Sequence, residues 1–538
     1  MRIVQKLFLC LVMMQAVAGS AQNPANASEL LANKLIAGEF EISYYNSACY
    51  FALAGHASLA FKYLGKAIEE GYANVANTEK DEDLLSLHAD PRWNTMLQQM
   101  KETQARQQNA AQLFFNKKNF WDSPQFGTPY QSNIPENEKI AGLSKLWSEL
   151  KYNFVNLDLV QGINIDSLYL TYLPKVRLST STKEYYQLLT EMVAMLQDGH
   201  TNVYVPGALG DSVYARPLVR TRLIEDKVIV VGVYDDALRS KGLAVGQEVL
   251  QVNGIPVKTY AEQQVIPYQS SSTWQDKMVR GYDYALLAGA LHEPLRLQIK
   301  DASGKVSEQT IARVKPATRS AIVQVPAFEY RLLPGNIAYI ALNTFAHDSA
   351  AKAFAARYEE ISKATAIIFD VRNNGGGNSS VGWDILRFLI NQRAIVHTSY
   401  TRDYKPTYRA WGRTQQPSLN RNPLAPGKQK TYGGEVIVLT SARTYSAAED
   451  FVAAFKTLKR GLVIGEATGG SSGQPLFITL PGGGSARICS KRDMLGDETE
   501  FVGRGIQPDK EVHPTIPDIR KGTDTQLQAA IRQLSNGK

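Results

Sequence analysis

The sequence is poor in cysteine and in the residue spacings that hold metal ions. Its 538 residues contain three cysteines, and one of them, Cys10, lies within the first 21 residues. No C-x-x-C, H-E-x-x-H or EF-hand spacing occurs in the chain, which argues against a zinc or calcium site and against a disulfide framework. No pattern supports a disulfide between Cys49 and Cys489, although it stays open. We therefore expect chemistry that uses neither a metal nor another cofactor.

Long apolar runs and blocks of a single charge are also missing. After residue 21, no stretch approaches the roughly 18 apolar residues that cross a bilayer, so we expect no membrane span. The 59 basic and 51 acidic residues give a formal net charge of +8, and the basic residues are scattered apart from those between Arg402 and Arg421. Nucleic-acid binding is therefore not expected. The length leaves room for about three or four globular domains.

The first 21 residues have the pattern of a secretory signal peptide. Arg2 and Lys6 precede an apolar stretch from Leu7 to Met14, and small residues follow as far as Ala21. This order of a basic, an apolar and a small-residue region is typical of an exported precursor. We expect residues 1–21 to be removed and the mature protein to act in the periplasm or outside the cell.

Residues 22–105 have helical periodicity, with a turn at Gly55. They resemble a tetratricopeptide-type (TPR-like) repeat in which Asp90-Pro91-Arg92-Trp93 closes the third helical stretch. Only about one and a half repeat units are visible, and stable arrays normally need about three. A helical cap and a peptide-binding scaffold therefore both stay open. Residues 106–135, rich in Asn, Gln and Pro, are interpreted as a connector.

A small helical domain is expected over residues 136–214, followed by a β domain over residues 215–315. The second of these has a strand at Val228–Val231 and an Asn253-Gly254 hairpin signal. It resembles a PDZ domain, a type of domain that binds extended chain ends by adding a strand to a sheet edge. A peptide terminus is therefore an expected partner.

Residues 316–520 alternate short apolar strands with helical patterns, which predicts an α/β core. Residues 521–538 are interpreted as a C-terminal tail. The predicted fold class is thus multidomain α/β: an α-helical N-terminal region, a small helical domain, a PDZ-like β domain and an α/β core.

Ser446 stands between an apolar run that ends at Leu439 and a helical pattern that begins at Ala447. A serine at a strand-to-helix turn can act as a nucleophile, because the helix N-terminus offers free N–H groups to a developing oxyanion. Ser446 and Glu449 also have the S-x-x-E spacing of a capping box, in which the serine only closes the helix start. These two residues alone do not decide between the readings.

Gly375, Gly376 and Gly377 follow the predicted strand Ala366–Asp370. Consecutive glycines let backbone amides approach a ligand closely, although a flexible turn would use them too. Ligand sites in α/β sheets lie beyond the carboxyl ends of strands, so we predict that this loop and Ser446 share a site. Asp370 is expected to pin the glycine loop.

Six segments occur here in the order found in one enzyme family: "DGHT", the PDZ-like segment, "FDVRNNGGG", "TYSAAED", "IGEATGG" and "GRGIQPD". In this order they resemble serine peptidases of family S41, the C-terminal-processing and tricorn-like group. The resemblance covers about residues 136–520. It implies a ClpP/crotonase-like α/β core and an exported serine endopeptidase that acts on proteins or peptides. An alternative within the same fold is a catalytically silent binding protein for peptides or apolar ligands.

The resemblance also implies which residues carry the reaction. Processing-type members use a lysine after the serine, but Ser471 stands at that position here. Tricorn-like members use a histidine before the PDZ-like segment, and His200 matches it. An ordinary histidine pKa of about 6.5 suits a base at neutral pH. Ser446 is then the nucleophile, with its oxyanion held by the backbone N–H groups of Ala447 and of Gly376 or Gly375.

A carboxylate is expected to orient the histidine, as in other serine peptidases. The resemblance implies Glu500, which stands nearest to the closing "GRGIQPD" element, with Asp497 and Glu498 as alternatives. The substrate pocket is expected to come from the Arg-, Tyr- and Pro-rich segment between residues 398 and 434.

Overall fold

The structure, a computed structural model, describes residues 29, 32–36, 43–112 and 120–536. The chain divides into two compact units, Met1–Ser123 and Pro124–Lys538. The predicted signal peptide, residues 1–21, lies outside the described residues. Within them, no helix has both the length and the apolar character needed to traverse a bilayer. Cys49 and Cys489 are both buried, and neither takes part in a disulfide among the described residues.

The first unit is helical where it is described. Its α-helices are α1 Tyr44–Leu53, α2 Ala57–Glu69, α3 Val75–Thr78 and α4 Arg92–Gln112, with a 3₁₀ turn at Glu82–Leu87. The predicted break at Gly55 is confirmed, since this residue lies between α1 and α2 with a φ of +78°. Phe51, Leu64 and Leu84 are fully buried in the core of this unit.

The segment at Asp90 differs from the sequence interpretation. It opens α4 instead of closing a helix: the Asp90 carboxylate accepts the Arg92 N–H at 2.9 Å, as side chains do at helix starts. Helix α4 also continues to Gln112, into the segment interpreted as a connector. The TPR-like character of residues 22–105 stays a prediction.

The second unit holds the remaining α-helices. In chain order they are α5 Glu136–Asn153, α6 Ile165–Leu178, α7 Thr182–Ala194, α8 Gly210–Val213, α9 Asp236–Ser240, α10 Val257–Gln264, α11 Trp274–Met278, α12 Pro316–Ile322, α13 Ser349–Ala356, α14 Tyr358–Ile361, α15 Ser379–Leu386, α16 Pro406–Ala410, α17 Ala447–Thr457, α18 Ile516–Lys521 and α19 Thr525–Asn536. A π-helical turn, Val279–Ala285, follows α11 directly.

The strands of the second unit form four sheets. In chain order they are β1 Asn202–Tyr204, β2 Val219–Ile224, β3 Lys227–Val233, β4 Glu248–Val252, β5 Ile255–Pro256, β6 Leu295–Lys300, β7 Val306–Ile311, β8 Phe328–Leu333, β9 Ile337–Leu342, β10 Ala366–Asp370, β11 Ala394–Asp403, β12 Gln416–Leu424, β13 Glu435–Thr440, β14 Leu462–Gly465, β15 Pro475–Leu480, β16 Gly484–Cys489, β17 Lys491–Leu495 and β18 Lys510–Glu511.

The central sheet has the strand order β18-β14-β13-β10-β9-β8. Strand β10 is parallel to β9 on one side and to β13 on the other, with Phe369 opposite Ile340 and Val438. Every residue of β9 and β10 is buried, as expected for parallel strands covered on both faces. The predicted α/β core is therefore confirmed, and β10 and β13 end side by side.

The segment interpreted as PDZ-like contains the sheet β2-β3-β4-β6-β7. The predicted Asn-Gly hairpin joins β4 to β5: Asn253 and Gly254 both have positive φ values, 54° and 83°, as this type of two-residue turn requires. Helix α10 follows this hairpin directly. The assignment to the PDZ family stays a prediction.

A three-stranded sheet, β1-β16-β15, connects the helical segment to the core. Strand β1 pairs antiparallel with β16, and Val203 lies opposite Ala486. Side chains from helices α5 to α7, among them Leu146 and Tyr185, share one apolar core with Ile488 of β16. This pairing brings residues just before β1 close to a segment almost 300 positions later.

Two further segments differ from their sequence interpretation. Residues 398–434 fall mainly in the hairpin β11–β12, which continues through β11 into β17. Residues 521–538, interpreted as a tail, contain α19, and its Ala529, Ala530 and Leu534 pack with Ile437 and Ile464 of the central sheet. Leu527, Ala530, Ile531 and Leu534 have the i, i+3, i+4, i+7 spacing that is typical of a helix. This spacing was a signal for α19 in the sequence.

Candidate active site

Ser446 lies at the sharp turn between β13 and α17. It is the N-cap residue of α17, with φ 56° and ψ −128°. Such a conformation costs a side-chain-bearing residue about 1–3 kcal/mol and is found mainly where function demands it. The turn is held by Glu449, whose carboxylate accepts the Ser446 N–H at 3.1 Å. The capping box is therefore present, and it holds the serine in this strained position.

His200 faces the Ser446 hydroxyl. Its Nε2 lies 3.0 Å from Ser446 Oγ, across 246 positions of sequence. The imidazole is almost completely buried, with 2% of its surface exposed. The Tyr445 ring stacks on it with 4.9 Å between centroids and 14° between planes. The structure thus brings together the two residues that the sequence analysis nominated as base and nucleophile.

The "DGHT" turn is shaped to place this imidazole. The Asp198 carboxylate accepts the backbone N–H of His200 at 2.9 Å and the Thr201 hydroxyl at 2.9 Å. A side chain at Gly199 would lie 2.1 Å from the Tyr445 hydroxyl, so only glycine fits there. Because β1 begins two residues after His200, the pairing of β1 with β16 fixes the turn against the core.

The second imidazole nitrogen contacts hydroxyl groups. His200 Nδ1 lies 2.8 Å from Ser471 Oγ and 3.3 Å from the Tyr445 hydroxyl. The Tyr445 hydroxyl also accepts a hydrogen bond from Arg280 at 3.0 Å. Ser471, which stands where processing-type relatives have their lysine, is 1% exposed. From the sequence, Ser471 excluded a lysine base, but its contact with His200 was not predicted.

The three nominated carboxylates lie elsewhere. Glu500 forms an ion pair with Arg492 at 3.3 Å. The Asp497 carboxylate accepts the N–H of Thr499, and Glu498 pairs with Arg421. The structure therefore does not bring Glu500 or its alternatives to the imidazole. The offset of Glu500 from "GRGIQPD" in the sequence is the signal that its alignment with the family was loose.

Glu449 is the carboxylate that lies closest to the turn, and it acts through the backbone. Besides the Ser446 N–H, it accepts the N–H groups of Gly470 at 2.7 Å and of Ser471 at 3.0 Å, and the Thr468 hydroxyl. Burial raises the pKa of Glu449 to about 8, against the lowering effect of these four hydrogen bonds. One buried side chain thus ties the Ser446 turn to Ser471, the partner of His200.

The glycine loop lies against the Ser446 turn. A side chain at Gly376 would lie 2.7 Å from Cβ of Ser446, so the approach needs glycine. The Gly376 N–H donates to the Asn374 side chain at 2.9 Å, whereas Gly375 lines the cavity in front of Ser446. The Ala447 N–H is in the first turn of α17, where helical N–H groups have no intrahelical acceptor. The Gly376 N–H is therefore already occupied, whereas Gly375 borders the cavity.

Asp370 pins the loop, as expected. Its carboxylate binds the Arg372 guanidinium at 2.5 Å and accepts the Tyr339 hydroxyl at 2.7 Å. The loops after β10 and β13 are also joined, since Thr444 Oγ1 donates to the Val371 carbonyl at 2.9 Å. The loops that follow β10 and β13 are therefore held together at the same edge of the central sheet.

Ser446 opens into a cavity of about 430 Å³. We call it the Ser446 cavity; its lining includes Arg280, Arg443 and Arg487. Burial, and then Arg487 and Arg280, hold the pKa of His200 well below its ordinary value of 6.5. Residues 398–434, expected to form the pocket, are not among those that line it in the described part of the chain. That expectation was wrong, because these residues pair into the β11–β12 hairpin.

Comparison with known proteins agrees with this architecture. Residues 336–512 match the family model of Peptidase family S41. The match includes Ser446 and the glycine loop but not His200. The mature CPAF structure with bound lactacystin superimposes with a TM-score of 0.58 at 14% identity, over 75% of this chain and 99% of that one. The fold class is confirmed by this likeness.

Two relatives are named for their processing activity. A chloroplastic C-terminal processing peptidase of Tetradesmus obliquus is 26% identical over 202 residues, which are 37% of this chain and 39% of the relative. A carboxyl-terminal-processing protease of Picosynechococcus is 24% identical over 375 residues, which are 65% of this chain and 79% of the relative. The match to the first relative thus spans about two fifths of that protein's length. The predicted S41 resemblance is therefore confirmed for residues 336–512, which form a Peptidase family S41 domain.

Proposed function

We propose that this chain, whose residues 336–512 form a peptidase family S41 domain, is a serine endopeptidase with Ser446 as nucleophile and His200 as general base. The observation that carries the proposal is the 3.0 Å distance between His200 Nε2 and Ser446 Oγ at the wall of the Ser446 cavity. His200 lies outside the segment that matches the family, so this contact supports the proposal independently of the match.

Acylation begins when Ser446 Oγ attacks the carbonyl carbon of the scissile bond. His200 Nε2 takes the hydroxyl proton, which requires that Nδ1 carry the other ring hydrogen and donate it to Ser471 Oγ. The oxyanion is held by the N–H groups of Ala447 and Gly375, at the positive end of α17. His200 then protonates the leaving amine, and the acyl group remains on Ser446.

Deacylation repeats these steps with water as the nucleophile. His200 Nε2 removes a proton from the water molecule, the tetrahedral intermediate collapses, and Ser446 regains its proton. In this scheme Ser471 and Tyr445 orient the imidazole, a task that a carboxylate performs in other serine peptidases. The low pKa of His200 keeps the base neutral and ready to accept a proton.

We expect Ser471→Ala to lower kcat for peptide hydrolysis by about tenfold at nearly unchanged KM. It removes the 2.8 Å partner of His200 Nδ1, and a hydrogen bond of this kind contributes about 0.5–1.5 kcal/mol. Tyr445→Phe keeps the stacked ring and removes the 3.3 Å contact with Nδ1, together with the hydrogen bond that Arg280 donates to the Tyr445 hydroxyl. The double variant should lose more than the two single effects combined, because His200 Nδ1 then has neither partner.

Glu500→Gln is the matched control for this prediction. Glu500 is half-buried and pairs with Arg492 instead of His200, so the kcat of this variant should stay within about twofold of that of the unmodified protein. A large loss of kcat in Glu500→Gln, with Ser471→Ala unaffected, would restore the carboxylate assignment implied by the family.

The proposed substrate is a protein or peptide chain, and the proposed location is outside the cytoplasm. Export rests on the signal-peptide pattern of residues 1–21. Recognition of chain ends rests on the PDZ-like pattern of residues 215–315, together with the processing activity for which the two relatives are named. The catalytically silent alternative keeps the same fold and uses Ser446 only as a helix cap.

A fluorophosphonate probe separates the enzyme from the silent binder. We expect it to label the unmodified protein on the peptide that contains Ser446, and to leave Ser446→Ala and His200→Gln unlabelled. Labelling should be accompanied by cleavage of unfolded casein. A folded protein that neither reacts with the probe nor cleaves casein would favour the binding protein.

A further inference from the structure

We propose that the cleft beside Ser446 selects peptides with a carboxylate group close to the scissile bond, and that Arg443 and Arg487 bind this group. The inference rests on the proposed peptidase function and names its substrate class. The carboxylate belongs either to an Asp or Glu side chain or to the free end of the chain, and the experiment below distinguishes these two sources.

The charge on the wall of the Ser446 cavity is unbalanced. Arg280, Arg443 and Arg487 line it, and Asp276 is its one carboxylate among the described residues. Asp276 is already bound: its carboxylate accepts the Nε–H of Arg280 at 2.8 Å. The other two guanidinium groups therefore face the cavity without a carboxylate partner in the described part of the chain.

Arg443 carries an unused donor. It lies three residues before Ser446, and its Nε contacts the Tyr284 hydroxyl at 3.3 Å. Its Nη1 is buried and has no hydrogen-bond acceptor among the described residues. A buried donor without an acceptor is costly, and a carboxylate can bind two guanidinium N–H groups at once. A carboxylate that binds the Arg443 guanidinium as a fork offsets this cost once the side chain turns Nη1 toward the cavity.

Arg487 is held in place and still has free donors. Its Nε donates to the Asn202 side chain at 2.8 Å, and its Nη2 donates to the Gly199 carbonyl at 3.0 Å. Neither acceptor is ionised, so the charge of Arg487 is not neutralised by them. The Gly199 carbonyl directly precedes His200, which fixes this guanidinium close to the reacting atoms.

A second cavity, of about 610 Å³, extends the positive surface. It shares Arg280, Tyr284 and Arg487 with the Ser446 cavity. Lys183 and Arg216 also line it, and no Asp or Glu does so among the described residues. A peptide that runs from one cavity into the other therefore meets basic side chains in both, and these attract acidic chains and repel basic ones.

The reaction itself gains from an acidic substrate. His200 becomes an imidazolium while it holds the proton of Ser446, and Arg487 and Arg280 disfavour that charge. A carboxylate bound to Arg487 would offset the positive charge at the moment when the imidazolium forms. The contribution of the carboxylate should therefore appear in kcat as well as in KM.

The test uses internally quenched peptides that differ at one position. Each peptide carries Glu, Gln or Lys at a single position, which is one of the two residues before or the two residues after the scissile bond. All peptides have an amidated C-terminus, and the Gln peptide is also made with a free C-terminal carboxylate. For the unmodified protein we expect kcat/KM for Glu at one position to exceed that for Gln by about tenfold or more, with Lys below Gln. A gain for the free acid alone would assign the carboxylate to the chain terminus.

The ratio of kcat/KM for the Glu peptide to that for the Gln peptide is then measured for protein variants. A general loss of activity lowers both values and leaves this ratio unchanged. Arg443→Gln should lower the Glu-to-Gln ratio by about tenfold, and Arg443→Glu should invert the order of Glu and Lys. Arg331→Gln is the matched control, because Arg331 is exposed and its guanidinium lies over the Tyr339 ring at 4.5 Å, as that of Arg443 lies over the Tyr284 ring at 5.7 Å. It should leave both the activity and the ratio unchanged.

The results distinguish a failure of this substrate inference from a failure of the proposed peptidase function. Equal cleavage of the Glu, Gln, Lys and free-acid peptides by a protein that the probe labels would overturn this inference alone. A folded protein that is neither labelled nor active would overturn the peptidase function as well. If the probe labels Ser446 but no peptide is cut, the peptides are compared by how well they protect Ser446 from the probe. The acidic peptides should protect at about tenfold lower concentration than the Gln peptide. Equal protection by all peptides would overturn the inference.

Discussion

Replacing Ser446 with alanine should lower kcat for peptide hydrolysis by about 10⁴-fold or more. The change removes the atom that forms the acyl-enzyme and leaves only the residual effect of the oxyanion donors and of binding. Because Ala447 and the glycine loop are untouched, KM should change little. Steady-state cleavage of an internally quenched peptide, with enzyme in excess for the variant, measures both constants.

The control for Ser446→Ala is Ser362→Ala, an exposed serine that donates to the Glu359 carbonyl. It should retain full activity. Circular dichroism should show both variants folded. An active Ser446→Ala protein would mean that the peptide is cut elsewhere in the molecule, and would end the proposal.

Replacing His200 with glutamine should lower kcat by about 10⁴-fold. Glutamine keeps a polar side chain between Ser446 and Ser471 but cannot accept the hydroxyl proton at neutral pH. Since the two residues act as one unit, the double variant with Ser446→Ala should be no slower than Ser446→Ala alone. Probe labelling of Ser446 should fall in parallel, because the probe also needs an activated hydroxyl.

His347→Gln provides the matched control for this change. His347 is an exposed histidine whose Nδ1 lies 2.6 Å from Ser349 Oγ, a contact that resembles the one between His200 and Ser446 but lies outside the cavity. Its substitution should leave kcat unchanged. If His200→Gln keeps most of its activity while folded, another residue serves as the base.

The placement of the nucleophile and of the glycine loop could be predicted from the sequence because it follows local rules. Short apolar runs mark buried strands, and parallel strands end at one edge of a sheet. The runs that end at Asp370 and Leu439 are indeed neighbours in the sheet, in strands β10 and β13. Ser446 and Gly375 lie close together because β10 and β13 pair in this register.

The partners of His200 were beyond the reach of local patterns. Ser471 approaches the imidazole because β1 pairs with β16 and because Glu449 holds the Ser471 N–H. Neither interaction leaves a periodic signal in the sequence. The family resemblance in turn drew attention to Glu500, whereas in the structure Glu500 pairs with Arg492.

The pocket was misplaced for a related reason. The segment 398–434 was nominated for its composition of Arg, Tyr and Pro, which says nothing about which edge of the core it faces. The arginines that line the Ser446 cavity come from three distant segments, the turn after α11, the turn before α17, and β16. Only the assembled fold places them together.

The pH dependence of Ser446 acylation shows directly whether His200 is the base that activates the serine. Burial, Arg487 and Arg280 hold the pKa of His200 well below 6.5, so the base stays neutral as the pH falls through 6.5. In that range the unfolded chain binds a proton that the folded chain does not, so stability also decreases as the pH drops below about 6.5. Rates are therefore compared only where circular dichroism shows the folded protein.

The measurement is the rate of fluorophosphonate labelling of Ser446 from pH 5 to pH 10. With His200 as the base, we expect the labelling rate to be constant from about pH 8 to just below pH 6.5 and to decline only at lower pH. A rate that instead rises throughout the alkaline range, with its midpoint above pH 8, would indicate a lysine or another high-pKa base. That result would contradict the assignment of His200 as the base that activates Ser446.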